Sequence, residues 1–566
     1  MLKDTPTNVL AKLEALRRHF GENDAKILRA LKALAKSTFE DTESLIRFHE
    51  TLLFLRAYPS SATVLTLVNQ ILKTFAARVS QLGELEADLS ALDDPEVSGI
   101  VGTSVTSNFS YKIVRWLVAN HPTKVTIDWD WMENEEQMGA TLPRFLPLLE
   151  DDALVEAHVP FREWLRFARG RKSELVWLIE KFESLAISAK RRSELYESLK
   201  LHVTWKFGRA ASRTMMKRPV KKVFFHQQPL IKRREVSLAA ELNGPPIPVE
   251  KLSRAAGERI IDMARETSAV RYRELHGFTH GDAARVLKAE LGRGTDVYVM
   301  GVPAEQRLPL RAYHAALIFK NGVPAAYFEG LSIFERMESG FNLYYTFRDG
   351  ETAWLYARIL HLMRQLLGVS VFSIDPYQVG HENEEGIESG AFWFYRKLGF
   401  RSILPDLIKL TLAEEQKLAA DPWHRTQART LRKLATGHML FELTPSRARE
   451  WDRFEVRNIG LAVQRRMARE FGGDSERIRA SSAALVRRTL GMGKPRAREV
   501  PTKSFGDLSL LLAMIPNIAE WSAHEKALAA RVISAKDGAE EAVYLKQMQK
   551  HASLRASLIR FGSGVS

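Results

Sequence analysis

Apolar positions return every three or four residues along most of the first two hundred residues, as in Val9, Leu10, Leu13, Leu16 and again Ile27, Leu28, Leu31, Leu34. That period places each set on one face of an α-helix. A third helix is predicted over Asp41–Ala57, closed by Pro59, Ser60 and Ser61. Leu45, Ile46, Phe48, Leu52, Leu53 and Leu55 make it apolar on most sides, which places it centrally in a bundle. Similar periodicity recurs near 62–79, 110–119 and 164–199, so residues 1–205 read as a helical domain. No repeat at solenoid spacing is present.

The period then changes. Residues 206–250 mix basic clusters with Pro229, Gly244, Pro245, Pro246 and Pro248, a composition suited to an extended connection. After a helix near 251–266, aromatic and β-branched runs predict strands at 296–302, 313–320, 323–328 and 341–347. Asn321-Gly322 between two of them suits a tight hairpin, because both residues tolerate positive φ. In 341–347, Phe341, Leu343, Tyr345 and Phe347 form one face, and Asn342, Tyr344 and Thr346 the other. A helix over 353–367 stops at Gly368, a strand follows at 369–374, and a helix covers 387–398. Beyond Pro405 the pattern is helical again, except for a strand at 438–443. The fold class is therefore α+β: a mixed sheet domain at 251–445 with helices on both faces, followed by a helical, basic region at 446–566.

Charge sharpens this division. The chain carries +15, yet residues 296–401 hold twelve acids and ten bases, so the remainder carries +17. Ten bases and no acid lie in 206–234, and twelve bases against four acids in 457–503. Basic residues interleaved with Trp205, Phe207, Phe224 and Phe225 keep nucleic acid as a possible partner, although no zinc-finger or RNA-binding motif accompanies them. Cysteine is absent, which removes disulfides, thiolate zinc sites and cysteine nucleophiles and fits a cytoplasmic protein. No apolar run is long enough to span a membrane. His276, His280 and Asp282 are not expected to bind a metal, since Gly277 and Gly281 break the helix that would align them.

The chemistry centres on two stretches. One is Phe347-Arg348-Asp349-Gly350-Glu351-Thr352-Ala353, between a strand and a helix; the other is the series Ala391, Phe394, Tyr395, Lys397, Gly399 and Phe400. Their order and spacing resemble the GNAT superfamily of acyl-CoA N-acyltransferases over residues 296–403. Phe394 stands where that family usually has Leu, Glu351 where it has Gly, and Gly350 lies one position early. The resemblance implies an acyl-CoA co-substrate, with acetyl-CoA the one expected, whose diphosphate rests on the turn Arg348, Asp349, Gly350, Glu351, Thr352 and Ala353. It also implies that backbone near Tyr345 and Phe347 holds the pantetheine arm, and that Tyr395 protonates the departing thiolate. A tyrosine with its ordinary pKa of about 10 holds a proton to give at neutral pH. The alternative for Tyr395 is a buried aromatic beside Trp393 and Phe394.

An amine acceptor also needs a base, because freeing its lone pair at pH 7 costs about 4.6 kcal/mol. Glu329, Asp375 and His381 are the candidates. Glu382, Glu384, Glu385 and Glu388 read either as an acidic lip for a cationic amine or as acids favoured at a helix start. Two further readings stay open: a GNAT-like binding or scaffold protein without catalysis, and a nucleic-acid-associated protein acting through its basic flanks.

Overall fold

The computed structural model describes residues 5–20, 23–146, 161–421, 423–445, 449–493 and 502–564. Among the described residues, twelve strands run in chain order: β1 Ser104–Ser107, β2 Val125–Asp128, β3 His202–Lys206, β4 Val249–Lys251, β5 Val286–Gly292, β6 Thr295–Met300, β7 Ala312–Lys320, β8 Val323–Ile333, β9 Arg336–Leu343, β10 Val371–Ile374, β11 Arg401–Ser402 and β12 Met439–Glu442. The first three form a small sheet, ordered β1-β3-β2. It packs under helices through Tyr196, Trp205 and Phe182, so the amino-terminal region is not purely helical.

The remaining nine strands form one sheet, ordered β11-β12-β10-β9-β8-β7-β6-β5-β4. Each neighbouring pair is antiparallel except β9 and β10, whose parallel pairing follows from the intervening helix Thr352–Leu367. This helix covers one face, where Tyr356 meets Phe341 with ring centroids 5.2 Å apart. The helix Arg254–Ala269 covers the other, with Ile260 and Ile261 against Tyr298 and Leu317. The fold is thus mixed α/β with helices on both faces of a mixed sheet. Val532, Tyr544 and Leu558 from the last helices share one apolar cluster with Phe328 and Leu360, which joins the carboxy-terminal region to the sheet core. Among the described residues, no helix is long and apolar enough to cross a membrane.

Asn321 and Gly322 both have positive φ, 47° and 79°, and close the β7–β8 hairpin. The hairpin tip also pins the basic segment: Arg218 donates its amide to the Gly322 carbonyl at 2.7 Å, and Phe224 to Asn321 Oδ1 at 2.8 Å. The segment 206–250 has little regular structure but is fastened along its length instead of running free. Two further expectations need correction. β9 ends at Leu343, and Tyr345–Phe347 form a 3-10 turn instead of continuing the strand. The expected helix over 387–398 is two short ones, Glu384–Glu388 and Ala391–Arg396, divided at Gly390 with φ 66°.

The feature that positions the site is the parting of β9 from β10. Their register runs only from Arg336↔Val371 to Glu338↔Ser373. β9 continues five residues further, while β10 stops at Ile374 and enters a 3-10 turn at Pro376–Val379. A proline cannot donate to the ladder, so the pairing cannot extend across it. The edge of β9 from Ser339 to Leu343 faces a gap.

Candidate functional site

The turn that leaves β9 is held from outside the sheet. Thr346 donates its hydroxyl to Glu50, a buried carboxylate on the helix Thr42–Ala57, and Glu50 is bonded in turn by Arg213 at 2.6 Å. This bond fastens the 3-10 turn at 345–347 to the amino-terminal helices. Asp349 is bridged by Arg17 at 2.7 Å and Arg18 at 3.3 Å. Gly350 leaves no space for a side chain, since a Cβ there would stand 2.4 Å from the Tyr58 hydroxyl.

Glu351, the residue that departs from the family pattern, turns inward. Its side chain is 1% exposed and lies 3.0 Å from Lys320 and 2.6 Å from Arg293. Burial pushes its carboxyl up, but these two cations outweigh burial and hold it below the usual carboxylate range. It therefore does not obstruct the start of the helix. The amides of Thr352 and Ala353, the first two helical residues, meet no acceptor among the described residues. Unpaired amides at the positive end of a helix dipole suit an anion.

Two clefts meet at this turn. One, of about 480 Å³, occupies the gap between β9 and β10 and is lined by Phe341, Asn342, Leu343, Gln378 and Tyr395 among others. The second, of about 900 Å³, lies beyond the turn and is lined by Asp349, Gly350 and Ala353 together with residues of the amino-terminal region and the basic segment. Arg348, Thr352 and Phe394 line both. Arg348 is ion-paired with Glu385 and lies 3.5 Å from Glu96, so an anion arriving here would have to displace carboxylates.

The Tyr395 ring is buried among Tyr356, Phe394 and Phe400. Its hydroxyl has no hydrogen-bond partner among the described residues, and burial raises its pKa further above the ordinary value. It thus reaches the first cleft as a protonated, uncommitted donor.

The candidate bases are not gathered there. Glu329 is opposite Gly340 in the β8–β9 register, on the same face as Tyr327 and Asn342, but its carboxylate accepts the Tyr313 hydroxyl and does not line the cleft. His381 is exposed and lines no described cleft, with its amide on the Pro376 carbonyl at 3.0 Å. Asp375 accepts the Tyr377 amide at 2.9 Å and belongs to another cavity, of about 310 Å³. There its carboxylate, Glu338 and His438 bring ligand atoms within 4.8 Å of one another, but Arg311, Arg336 and Arg457 line the same space and oppose a cation. Tyr345 is 52% exposed and Phe347 is buried; neither lines the gap, where the open strand edge belongs to residues 339–343. Of the four acids read as a lip, Glu384 is bound by Arg432 at 2.8 Å and Glu385 by Arg348.

Sequence reasoning did not single out Arg273, Tyr327 or Gln378, which line the first cleft, or the clamp made by Arg17, Glu50 and Arg213. One signal was available: Gly340, inside a strand, leaves open space where a Cβ would find only the Glu329 carbonyl at 3.8 Å and the Gln378 amide at 3.9 Å. Comparison with family models yields no match, and neither curated proteins nor solved structures provide one.

Proposed function

We propose that this protein transfers an acyl group from an acyl-CoA thioester to an amine. The observation that carries this reading is the meeting of two clefts at Arg348 and Thr352, one a narrow gap beside an unpaired strand edge, the other wide and basic. Such a junction fits a ligand with a diphosphate at its middle, a thin arm on one side and a nucleotide on the other. The GNAT resemblance supports it independently, as do the single parallel pair β9–β10 and the crossover helix between those strands.

In this reading the diphosphate receives the free amides of Thr352 and Ala353 and the Arg348 guanidinium, which leaves Glu385. The pantetheine arm lies along residues 339–343, whose open edge offers backbone bonds. The amine nitrogen attacks the thioester carbonyl, forming the C–N bond and an oxyanion that backbone donors stabilise. As the oxyanion collapses, the C–S bond breaks, the thiolate takes the Tyr395 proton, and the nitrogen loses its proton to water. Tyr395 is then reprotonated from solvent.

The test is a thermal-shift series with acetyl-CoA and longer acyl-CoAs. Acetyl-CoA is expected to raise Tm, and Arg348→Ala to cancel most of the rise; no shift with any acyl-CoA contradicts the reading. The engagement of Arg348 by Glu385 and the absence of a carboxylate from the gap-facing residues of β9 favour a second reading, in which the site binds acyl-CoA without transfer. That reading requires a Tm rise with no release of free CoA thiol from acyl-CoA in the presence of any amine tested.

A further inference from the structure

The roles of the amino-terminal helices and of the basic segment 206–250 are the part of the chain that acyl transfer itself leaves unexplained. Both reach the wider cleft. Arg18 and Phe20, just after the helix Pro6–Leu16, form one side, and Lys232 and Arg233 of the basic segment form another. With Arg348 this makes four permanent cations against one carboxylate, Asp349.

Two of these cations are uncommitted. Lys232 and Arg233 have no ion-pair partner among the described residues; Arg233 donates only to the Lys397 carbonyl at 3.2 Å. The excess is felt nearby: partial burial and then the like charges of Arg233 and Arg425 push the Lys397 ammonium down. Phe20, Leu230 and Phe394 add apolar surface to the same walls. A volume of about 900 Å³ is ample for a nucleotide.

We propose that this cleft holds the 3′-phosphoadenosine end of CoA, with Lys232 and Arg233 on the 3′-phosphate and the aromatic walls against adenine. The assignment rests on the acyl-CoA reading and extends it: residues outside the GNAT-like core select the nucleotide end. An acyl group carried on pantetheine alone, without adenosine phosphate, would forgo these contacts and be discriminated against.

The experiment is calorimetric titration with CoA, 3′-dephospho-CoA and adenosine 3′,5′-bisphosphate, on the wild-type full chain, Lys232→Ala, and Lys232→Ala/Arg233→Ala. The wild type is expected to bind CoA about tenfold or more tightly than dephospho-CoA, and the bisphosphate to compete with CoA. The double variant should bind CoA and dephospho-CoA alike. Lys232→Ala, an exposed change, should narrow the preference without altering Tm. Equal wild-type affinity for CoA and dephospho-CoA, or a preference unchanged in both variants, overturns the assignment and leaves the acyl-CoA reading standing. Binding of the bisphosphate without CoA overturns the acyl-CoA reading and keeps a nucleotide site; binding of none overturns both.

Discussion

The Glu351 carboxylate lies 3.0 Å from the Lys320 ammonium, in a pocket where both side chains are almost fully buried. Burial drives Lys320 down to about 8, against the pull of Glu351. Glu351 also accepts the Ile231 amide at 3.2 Å, so this pair ties the basic segment to the turn entering the helix Thr352–Leu367. Glu351→Ala leaves Lys320 buried and unpaired, at an expected cost of about 3–5 kcal/mol at pH 7. A lysine held below its unfolded pKa binds fewer protons folded than unfolded, so stability rises with pH between the two values. Losing Glu351 widens that window, and the deficit relative to wild type should shrink from pH 7 to pH 9. Urea denaturation at both pH values checks this; a deficit that grows with pH contradicts it.

Glu50 couples the amino-terminal helices to the turn. It accepts from Arg213 at 2.6 Å and from the Thr346 hydroxyl, and all three residues are buried. Glu50→Ala strands Arg213 in the interior, with an expected loss of about 3–5 kcal/mol. Thr346→Val removes one bond and should cost about 1–3 kcal/mol. Denaturation curves for both variants, with cooperativity preserved in Thr346→Val, test the ordering.

His226 supplies a second pH signature. It is buried against Tyr58 and Phe224, and among the described residues neither ring nitrogen has a partner. Burial, assisted by Lys320 and Arg293, lowers its pKa to about 3. Between the unfolded value near 6.5 and about 3, the unfolded chain binds a proton that the folded chain does not. Stability from this group is therefore complete above about 6.5 and is lost, by up to about 1.4 kcal/mol per unit, as pH falls. His226→Phe should lose less Tm than wild type between pH 6.5 and 4.5; parallel curves would count against this account.

Tyr395→Phe separates catalysis from folding. The hydroxyl has no hydrogen-bond partner among the described residues, so its removal should change stability by less than about 0.5 kcal/mol. In the proposed role of proton donor to the thiolate, it should contribute about 10²–10⁴-fold to kcat with little effect on CoA affinity. Equal losses in both quantities would indicate a packing role.

Much of the sheet was legible in the sequence, because its strands are apolar runs and Asn321-Gly322 announces its turn chemistry. β5 was missed because Lys288 and Glu290 interrupt its apolar pattern, and β4 because three residues are too few to carry a period. The strand ending at Leu343 was read four residues too long, since alternation continues through Phe347 and only the distant Glu50 reveals the turn. Tyr395 entered only through the resemblance of its stretch to the GNAT pattern, and its place in the lining of the first cleft was not legible. The wider cleft was beyond reach, because Arg18, Lys232 and Arg348 converge from segments more than a hundred residues apart.

In the proposed function the arm of CoA passes between β9 and β10. The most direct measurement is a crystal structure of the protein grown with CoA. The account predicts pantetheine density along Ser339–Leu343, with the thiol end towards Tyr395 and the diphosphate on the amides of Thr352 and Ala353. A gap left empty while CoA binds elsewhere, or Arg348 still closed on Glu385 beside bound ligand, would contradict it.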